Sequence, residues 1–494
     1  MADRWAIAGV DLHLTPLGSR VRAGLEDALR DAVRDGRLAA GTRLPSSRAL
    51  AGDLGIARNT VAEAYAQLVA EGWLQARQGS GTRVAPRPGA GTGGATRAPA
   101  RDERAAAQPQ HNLSPGSPDV AGFPRAAWLS ATRRALAGAP PDAFGYGFSE
   151  GRPELRAALA EYLARARGVV ADPERIVVCG GFAEALALTC EALARRGARS
   201  LATERHGLVT HRRIAARHGL TTRSLEIDEH GARTDRLPDG GADAVLLTPA
   251  HQFPFGVALA PARRSAAVQW AIEGGRIIVE DDYDGEFRYD RQPIGAMQAL
   301  APDRVVYAGT ASKSLAPGLR IAWLVLPDEL HPDVVATQEL LRGGPDTIAQ
   351  LALADMIRSG AYDRHVRRAR LIYRRRRDRL VTTVTREAPG LRVHGIAAGL
   401  HALLELPAGT SEAAVIELAA ARGLAVAGLE AYTDGPPSGR PALVIGYASP
   451  PEHGYTAALA RLGAVLAEIG AAAGTLRERV PRSPRRASPA DRSE

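Results

Sequence analysis

The chain has 494 residues, of which 45% are hydrophobic and 24% are charged, and its formal net charge at pH 7 is +9. This length allows two or three domains with their own cores, and the composition is ordinary for a soluble globular protein. No apolar run approaches the length of a membrane span and residues 1–14 lack a signal-peptide core, so we expect a cytoplasmic protein with no membrane partner. Cys179 and Cys190 are too few for a disulfide framework or a cysteine-based zinc site, and we predict no metal. The positive charge permits an anionic partner without proving one.

Residues 12–84 form the first predicted domain, in which helical periodicity alternates with short turns. One face of a first helix carries apolar residues at helical spacing, namely Val21, Leu25, Ala28, Leu29 and Val33. The stretch SSRALAGDLG predicts a short second helix that ends at Gly55, and a third helix begins near Arg58. The stretch EGWLQARQGSGTRV then predicts a β-hairpin. This order of elements is typical of a winged helix-turn-helix, with the third helix as the recognition helix and the hairpin as the wing.

The charge of this domain is only weakly informative. From Arg20 to Arg83 there are ten arginines and seven carboxylates, which suits DNA but also suits a small helical domain with solvated arginines. The stretch RLAAGTRLPSSRALAGDLGIARNTVAEAYAQLVAEGWLQARQGSGT, however, resembles the DNA-binding domain of GntR-type regulators along its length. The resemblance implies that double-stranded DNA is contacted by Arg48, Arg58, Asn59, Thr60, Gln78 and Gly79. Arg48 would contact phosphate or nearby base edges. The residues that would enter the major groove are Arg58, Asn59 and Thr60, and the wing contact would come from Gln78 and Gly79.

One residue departs from the GntR pattern. The family usually has Ser or Thr before the recognition helix, where this chain has Ala57. The missing cap costs roughly 1 kcal/mol of helix stability, and we expect DNA binding to survive it.

The rest of the chain divides by composition. Residues 85–110 are rich in Gly, Pro and Ala without an apolar period, which predicts a flexible linker. Over residues 111–472, strand-like runs such as RIVVCGG, DAVLLTPA, RIIVEDD and RVVYAGT alternate with helical segments. This alternation predicts an α/β domain with a mostly parallel, doubly wound sheet and a ligand site at the carboxyl ends of its strands. Residues 473–494, rich in Arg, Pro and Ser, are predicted to be a disordered basic tail.

Lys313 is the sole lysine of the chain, so the other 62 of the 63 Lys+Arg residues are arginine. A surface ion pair or a phosphate contact would tolerate arginine in its place. A nucleophilic amine must lose a proton, which a guanidinium does not do, and only the amine can form a Schiff base with a carbonyl. The retained lysine therefore indicates a reactive residue rather than a leftover surface one.

The segment GTASKSLAPGLRIAW around Lys313 resembles the lysine segment of fold-type I pyridoxal-phosphate proteins, the aspartate aminotransferase superfamily. The resemblance implies a smaller C-terminal α+β subdomain beside the α/β domain, a pyridoxal 5′-phosphate cofactor and an imine of that cofactor with Lys313. By position in the family, the cofactor would be contacted by Lys313, Asp281, Tyr283, Thr310, Ser312, Arg320, Phe182, Ala183, His251 and Tyr146.

Each of these residues would contact a different part of the cofactor. Asp281 would pair with the pyridine nitrogen and Tyr283 with the 3′-oxygen, while His251 would lie near the ring. The backbone amides of Phe182 and Ala183, the hydroxyls at 310 and 312 and the guanidinium at 320 would bind the phosphate. Tyr146 would reach the phosphate of the neighbouring subunit, which implies a homodimer. From the residues alone, the stretch EDDYD could also be a magnesium site or an acidic loop at a strand end.

A GntR-like head, a linker and an aminotransferase-like body together resemble the MocR/GabR class of transcriptional regulators over residues 12–470. The resemblance implies a head-to-tail dimer that senses pyridoxal phosphate, an amine or an amino acid through Lys313 and acts on an operator with paired half-sites. Genes of cofactor synthesis or of amine and amino-acid metabolism are the expected targets. Two alternatives are a functional aminotransferase with an added DNA-binding head, and a DNA-binding regulator whose body is an inactive dimerisation scaffold.

Two departures from the aminotransferase pattern bear on chemistry. The segment ERHGL has Leu208 where the family has a tyrosine near the cofactor ring, so stacking would need another residue, for which His206 is a candidate. In ALVIGYASP, Val444 stands where aminotransferases have the arginine that binds a substrate carboxylate, and Arg440 lies only near it in sequence. Finally, the arginine-rich segment HVRRARLIYRRRRDRL suits a solvated helix face better than a second DNA surface.

Overall fold

The computed structural model describes residues 6–7, 10–11, 21–77, 81–86, 109–145, 147–289, 294–341, 344–437 and 439–478. The chain divides into two compact units, Met1–Ala106 and Ala107–Glu494, each of which is considered by itself. Within the described residues, no helix is both long enough and apolar enough to cross a lipid bilayer.

In the described residues, the first unit contains three helices and two short hairpins. Its elements are β1 (Ala6–Ile7), β2 (Val10–Asp11), α1 (Val21–Arg34), α2 (Ser47–Leu54), α3 (Arg58–Ala70), β3 (Leu74–Arg77) and β4 (Gly81–Val84). Strands β3 and β4 pair antiparallel, which makes the predicted wing hairpin. Helix α2 is capped at its start by the Ser46 hydroxyl, which accepts from the amide of Ala49, and ends at Gly55 in the left-handed conformation.

The core of this unit lies where the helical periodicity places it. Leu25 and Leu29 of α1 pack with Val61 and Leu68 of α3, and the wing strand adds Leu74 to the same cluster. The prediction of a winged helix-turn-helix is therefore confirmed at the level of its elements and their packing faces.

The second unit is built from fifteen strands and eleven helices in the described residues. The strands are β5 (His111–Asn112), β6 (Ile176–Cys179), β7 (Ser200–Glu204), β8 (Thr221–Leu225), β9 (Ile227–Asp228), β10 (Gly231–Ala232), β11 (Ala244–Leu247), β12 (Ile277–Asp282), β13 (Val305–Thr310), β14 (Ala322–Val325), β15 (Arg392–His394), β16 (Ala402–Glu405), β17 (Leu424–Ala425), β18 (Ala427–Gly428) and β19 (Ala442–Ile445). The helices are α4 (Arg125–Gly138), α5 (Pro153–Arg167), α6 (Phe182–Arg195), α7 (Val209–Arg217), α8 (Leu237–Gly240), α9 (Pro261–Gly274), α10 (His331–Leu341), α11 (Thr347–Arg358), α12 (Ala361–Glu387), α13 (Glu412–Ala421) and α14 (Glu452–Glu478).

A seven-stranded sheet in the order β6-β14-β13-β12-β11-β7-β8 forms the centre of this unit. Only β14 runs antiparallel to its neighbours, and the other strand pairs are parallel. The strands β6, β11, β12 and β13 are buried along their whole length, as expected when helices cover both faces of a parallel sheet. The carboxyl ends of β7, β11, β12 and β13 therefore meet at one edge, and the predicted mostly parallel doubly wound sheet is confirmed.

A smaller α+β subdomain follows the large sheet. Its antiparallel sheet has the order β15-β16-β19-β18 and shares a core with α12, α13 and α14. Strand β5, from the beginning of the unit, pairs in parallel with β17 of this subdomain. The predicted linker falls largely on residues 87–108, which lie outside the described residues, as do residues 479–494 of the predicted tail. Helix α14 runs on to Glu478, past the predicted start of the tail at 473.

Candidate functional site

A cavity of about 370 Å³ opens at the carboxyl edge of the parallel strands. Glu204 at the end of β7, Asp281 near the end of β12 and Thr310 at the end of β13 all line it. The turn after β13 brings Lys313 to the same wall, and the small subdomain contributes His401. This is where a doubly wound sheet places its ligand site.

The Lys313 side chain is partly buried, and its ammonium donates a hydrogen bond to the carbonyl of Gly116. Burial lowers the pKa of this amine below its ordinary value, while the carboxyl groups of Asp281 and Asp284 act in the opposite direction. A lowered pKa increases the fraction of free amine, which is the nucleophilic form. The geometry therefore gives the sole lysine the environment of a reactive amine.

Asp281 is 6% exposed, and its Oδ1 has no hydrogen-bond partner among the described residues. Burial, followed by the neighbouring charge of Asp282, raises the pKa of the Asp281 carboxyl well above its usual range. A buried carboxylate oxygen without a donor is energetically costly. A ligand that presents an N–H group at this wall, as a protonated pyridine ring does, would relieve that cost.

Tyr283 also lines the cavity, and its hydroxyl belongs to a buried polar cluster. The hydroxyl lies 3.2 Å from Nδ1 of His251, and the same nitrogen lies 2.8 Å from Oδ2 of Asp284. The His251 ring does not line the cavity and instead supports Tyr283. The His401 ring, 4.9 Å from the His251 ring, does reach the cavity wall. Burial and the nearby His251 lower the pKa of His401 well below its ordinary value, so this imidazole is neutral.

His251, Asp284 and His401 offer ligand atoms within 4.8 Å of one another, the one group of this kind among the described residues. The carboxylate of this group is already hydrogen-bonded to His251, and Asp281 and Asp282 of the EDDYD stretch are not part of it. Nε2 of His251 and Nε2 of His401 have no hydrogen-bond partner among the described residues.

The opposite end of the cavity has the features of an anion site. Helix α6 begins at Phe182 after Gly181, which has φ of 117° and provides no side-chain cap. The first-turn residues Phe182 and Ala183 line the cavity, together with Thr310 and Ser312, whose hydroxyls hydrogen-bond to each other at 2.9 Å. Amides at the start of a fourteen-residue helix lack intrahelical acceptors and favour a negative ligand.

Arg320 stands beside this end without lining the cavity itself. Its φ of 51° is left-handed and its amide donates to the carbonyl of Pro317, while its guanidinium has no hydrogen-bond or ion-pair partner in the described parts of the chain. A Cβ on Gly180, in the turn before α6, would lie 3.6 Å from its guanidinium nitrogen. An unpaired guanidinium next to free helix amides is a suitable partner for a phosphate.

The residues present thus fit pyridoxal phosphate at both of its ends. An amine and an unpartnered buried carboxylate oxygen stand on the wall that would face the ring, and donors stand where the phosphate would lie. Tyr146, predicted to reach a neighbouring subunit, lies outside the described residues.

The sequence did not single out several residues of the cavity wall. His211 of α7 contacts the ring of Phe182 at 4.9 Å, and burial lowers its pKa to about 4. Burial raises the pKa of Glu204 to about 7, although Thr248 and Gln252 donate hydrogen bonds to its carboxylate. Arg212 donates to the carbonyl of Glu204 at 2.6 Å. Their positions in the sequence could have indicated these residues. Glu204 ends a buried strand, and His211 and Arg212 lie one helical turn after the segment ERHGL.

The two sequence departures have different structural outcomes. Leu208 lines the cavity and is 45% exposed, whereas His206 does not line it and so does not replace a stacking residue there. Val444 is 0% exposed in an apolar cluster with Leu403 and Leu429. The Val444 side chain is therefore enclosed by hydrocarbon and does not line the cavity.

Four of the six predicted DNA-contacting residues lie within the described part of the first unit. Arg48 of α2 is exposed, as are Arg58 and Asn59 at the start of α3, while Thr60 is half-buried. Neither arginine has an ion-pair partner within the described residues. Ala57 precedes α3 without a side-chain cap. The wing residues Gln78 and Gly79 lie outside the described residues.

The arginine-rich segment forms much of α12. Arg376 is 1% exposed and forms ion pairs with Asp119 and Glu452 at 2.7 and 2.8 Å. Arg367, Arg368 and most of the remaining arginines of the helix are exposed. The helix thus combines one structural cation with a solvated face.

Comparison with known proteins matches both units. The model of the bacterial regulatory proteins of the gntR family matches residues 22–84, and that of aminotransferase class I and II matches residues 108–461. The HTH-type pyridoxine biosynthesis transcriptional regulator PdxR of Corynebacterium glutamicum is 36% identical over 420 residues, which cover 83% of this chain and 88% of the relative. The probable rhizopine catabolism regulatory protein MocR of Rhizobium meliloti is 34% identical, over 71% of this chain and 74% of the relative.

Solved structures match the second unit. An archaeal alanine:glyoxylate aminotransferase superposes with a TM-score of 0.67 and 25% identity, over 72% of this chain and 91% of that chain. A kynurenine aminotransferase of Pyrococcus horikoshii superposes with a TM-score of 0.65 and 23% identity, over 72% of this chain and 90% of that chain. The similarity to regulators extends through the whole two-domain arrangement, whereas the aminotransferase structures correspond to the body.

Proposed function

Because the chain belongs to the transcriptional regulators that join a gntR-family DNA-binding domain to an aminotransferase class I and II domain, we propose that its body holds pyridoxal phosphate on Lys313 and thereby regulates DNA binding. The observation that carries this proposal is the meeting of Lys313 and the unpartnered Asp281 oxygen at one cavity. When bound, the cofactor supplies an aldehyde that can react with an amine. The protein supplies the amine, the ring partners and the anion site.

Each group of the cavity has a defined task in this proposal. Asp281 accepts a hydrogen bond from the ring nitrogen and keeps it protonated, while Tyr283, held by His251, orients the 3′-oxygen. The first-turn amides of α6 and the guanidinium of Arg320 bind the phosphate. We assign Lys313 the covalent anchoring role, because burial favours its free amine.

The sensed ligand is the cofactor, or an amine or amino acid that reacts with it. The PdxR relative is named for pyridoxine biosynthesis and the MocR relative for rhizopine catabolism, so relatives of this class are named for both kinds of task. We favour the cofactor itself, since position 444, where aminotransferases have the arginine that binds a substrate carboxylate, holds a buried valine here.

We further propose a head-to-tail homodimer that reads paired half-sites. Tyr146 would complete the phosphate site of the neighbouring subunit, so a monomer would hold the cofactor more weakly. Two DNA-binding domains tethered to one dimer gain effective concentration on adjacent half-sites. On the DNA, Arg58 and Asn59 would enter the major groove while Arg48 meets phosphate, with the wing contact at Gln78 and Gly79.

The test combines covalent trapping with footprinting. Pyridoxal phosphate is added to the full chain, the adduct is reduced with borohydride, and the modified peptide is located by mass spectrometry. We expect modification at Lys313 in the wild type and none in Lys313→Ala or in Lys313→Arg, which keeps the charge but loses the primary amine. Footprints on the chain's own upstream region should change with pyridoxal phosphate in the wild type only. Modification of a site other than Lys313 would refute the assignment.

The same material separates the two alternatives. A functional aminotransferase would show sustained turnover with a defined amino donor and keto acceptor, which we do not expect with Val444 at the carboxylate position. An inactive scaffold would show neither a spectral change nor a footprint change when pyridoxal phosphate is added.

A further inference from the structure

A second cavity, of about 470 Å³, lies between the large sheet domain and the small subdomain. It shares one wall with the cofactor cavity, namely the segment from Glu204 to Leu208. Glu204, Gly207 and Leu208 face the cofactor cavity, whereas Arg205 and His206 face the second one. Adjacent residues of one short segment thus line two cavities.

His206 is the polar group of this second cavity that the rest of the protein does not explain. It is 5% exposed, and neither of its ring nitrogens has a hydrogen-bond partner in the described structure. Its ring packs edge-on against Phe255 at 4.8 Å. Burial lowers the pKa of this imidazole to about 4, so at neutral pH it offers one N–H donor and one lone pair.

The floor of the second cavity around His206 is apolar. Phe255, Leu403, Leu429 and Ala442 line it, and the last three are almost fully buried. A ligand that fits here therefore has a hydrocarbon or aromatic body. It also carries a group that both donates and accepts a hydrogen bond, such as a hydroxyl, to satisfy His206.

The rim of the cavity favours positive charge. Its carboxylates are Glu226, Asp228, Glu229 and Glu405, against the guanidiniums of Arg205 and Arg440. Arg205 is bound to Glu226 at 2.7 Å, and Asp228 is bound to Arg263, which lies outside the lining. Glu405 is hydrogen-bonded to His394 of the lining at 2.6 Å, whereas Glu229 has no ion-pair partner in the part of the chain that the structure describes. The charge left over at the rim is therefore negative.

We propose that the second cavity is a binding site for a small hydroxylated organic amine, seated with its hydroxyl on His206, its apolar body on Phe255 and Leu403, and its ammonium toward Glu229. The site is independent of the reaction at Lys313. Because Glu204 and Leu208 stand on the other face of the shared wall, its occupant contacts the segment that bounds the cofactor cavity.

The probe is N,N-dimethyltyramine, which carries a phenol hydroxyl, an aromatic ring and a tertiary ammonium. Its nitrogen bears no hydrogen once deprotonated, so it cannot condense with the cofactor aldehyde. Isothermal titration of the full chain should show one site per chain, and Lys313→Ala should bind the probe with unchanged affinity. Binding lost in Lys313→Ala would place the amine in the cofactor cavity and overturn the proposal.

The variants test each contact separately. His206→Phe keeps a ring against Phe255 but removes both nitrogens, and should weaken binding about tenfold. His218→Phe is the matched control, because His218 lines neither cavity and should leave binding unchanged. Glu229 is exposed, so Glu229→Gln leaves the packing of the core unchanged. This variant should weaken binding of the probe about threefold. Wild-type protein that does not bind millimolar probe, or His206→Phe protein that binds it equally, would refute the proposal.

Discussion

Gly399→Ala tests whether the support of Tyr283 by His251 matters for the cofactor. Gly399 is a buried residue of the small subdomain with φ of 74°. A Cβ at this position would lie 2.6 Å from Oδ2 of Asp284 and closer still to the imidazole of His251. No flexible side-chain end can move aside there, so the ring itself must shift.

The size of the effect follows from three contributions. A side chain at positive φ costs about 1–2 kcal/mol, whatever the surroundings. Overpacking of a tight interior site costs about 1–3 kcal/mol, and a displaced imidazole loses the 2.8 Å hydrogen bond to Asp284. We therefore expect Gly399→Ala to lower the free energy of unfolding of the second unit by about 3 kcal/mol more than the strain of the positive φ alone would. The Tyr283 hydroxyl loses its orienting partner as well, which should weaken pyridoxal phosphate binding about two- to tenfold.

Gly409→Ala provides the matched control. Gly409 has φ of 82°, so alanine there suffers the same strain, but a Cβ would have nothing within 4 Å. The two variants are compared by urea unfolding and by titration with pyridoxal phosphate, and the difference isolates the collision with His251. If Gly399→Ala matched Gly409→Ala in both stability and cofactor affinity, the support of Tyr283 by His251 would be irrelevant to binding.

Three further predictions concern helix capping and buried charge. Ala57→Ser should add to α3 the cap that Ser46 gives α2 and stabilise it by about 1 kcal/mol, measured as slower hydrogen exchange in α3 peptides; unchanged exchange would contradict the cap geometry. Burial raises the pKa of Glu286 from 4.5 to about 7, so its protonated form is favoured in the folded state. Wild type should therefore match Glu286→Gln near pH 4.5 and lose stability relative to it as pH rises to 7, ending about 3 kcal/mol lower in urea titrations; a pH-independent difference would count against this titration. Arg376→Met leaves the carboxylates of Asp119 and Glu452 without their cation and should cost about 3–5 kcal/mol, whereas the exposed neighbour changed in Arg375→Met should cost little; equal unfolding midpoints would show that the buried ion pairs are not needed.

The sequence predicted the structure and the site best where a particular residue type is needed at a particular position or spacing along the chain. Gly55 and Arg58 mark the turn between α2 and α3, and a helical period places the core face of α3, so the DNA-binding unit could be predicted in detail. Lys313 stood out because no other residue supplies its chemistry. Asp281 could be placed at the cavity because it lies near the end of a buried strand.

Contacts between distant segments could not be read in the same way. His251 was expected near the cofactor ring, but its position depends on Asp284 and on Gly399 of the small subdomain. His206 was a candidate for stacking, yet it lines the second cavity together with its neighbour Arg205. β7 ends at Glu204, so the two-residue period of a strand does not continue through this segment and could not predict which cavity His206 lines.

The electrostatics of the cofactor cavity set a requirement on how occupancy can control DNA binding. A ligand shifts a conformational equilibrium only by its difference in affinity for the two states, and a shift from 1:99 to 99:1 needs about 5.5 kcal/mol. A hydrogen bond from a protonated ring nitrogen to the unpartnered Asp281 oxygen, made in one state only, would contribute about 1.5–3 kcal/mol of that difference. The remainder has to come from the opposite end, where the amides of α6 and the free guanidinium of Arg320 meet an anion. Asp281 and the anion site at α6 and Arg320 belong to different strands of the sheet. Only a ligand that is long enough to contact both, and that is charged at both ends, therefore gains the full difference in binding free energy between the two states. Pyridoxal phosphate would meet both conditions, and an amine that reacts with it would act by altering the bridge that we propose for the cofactor.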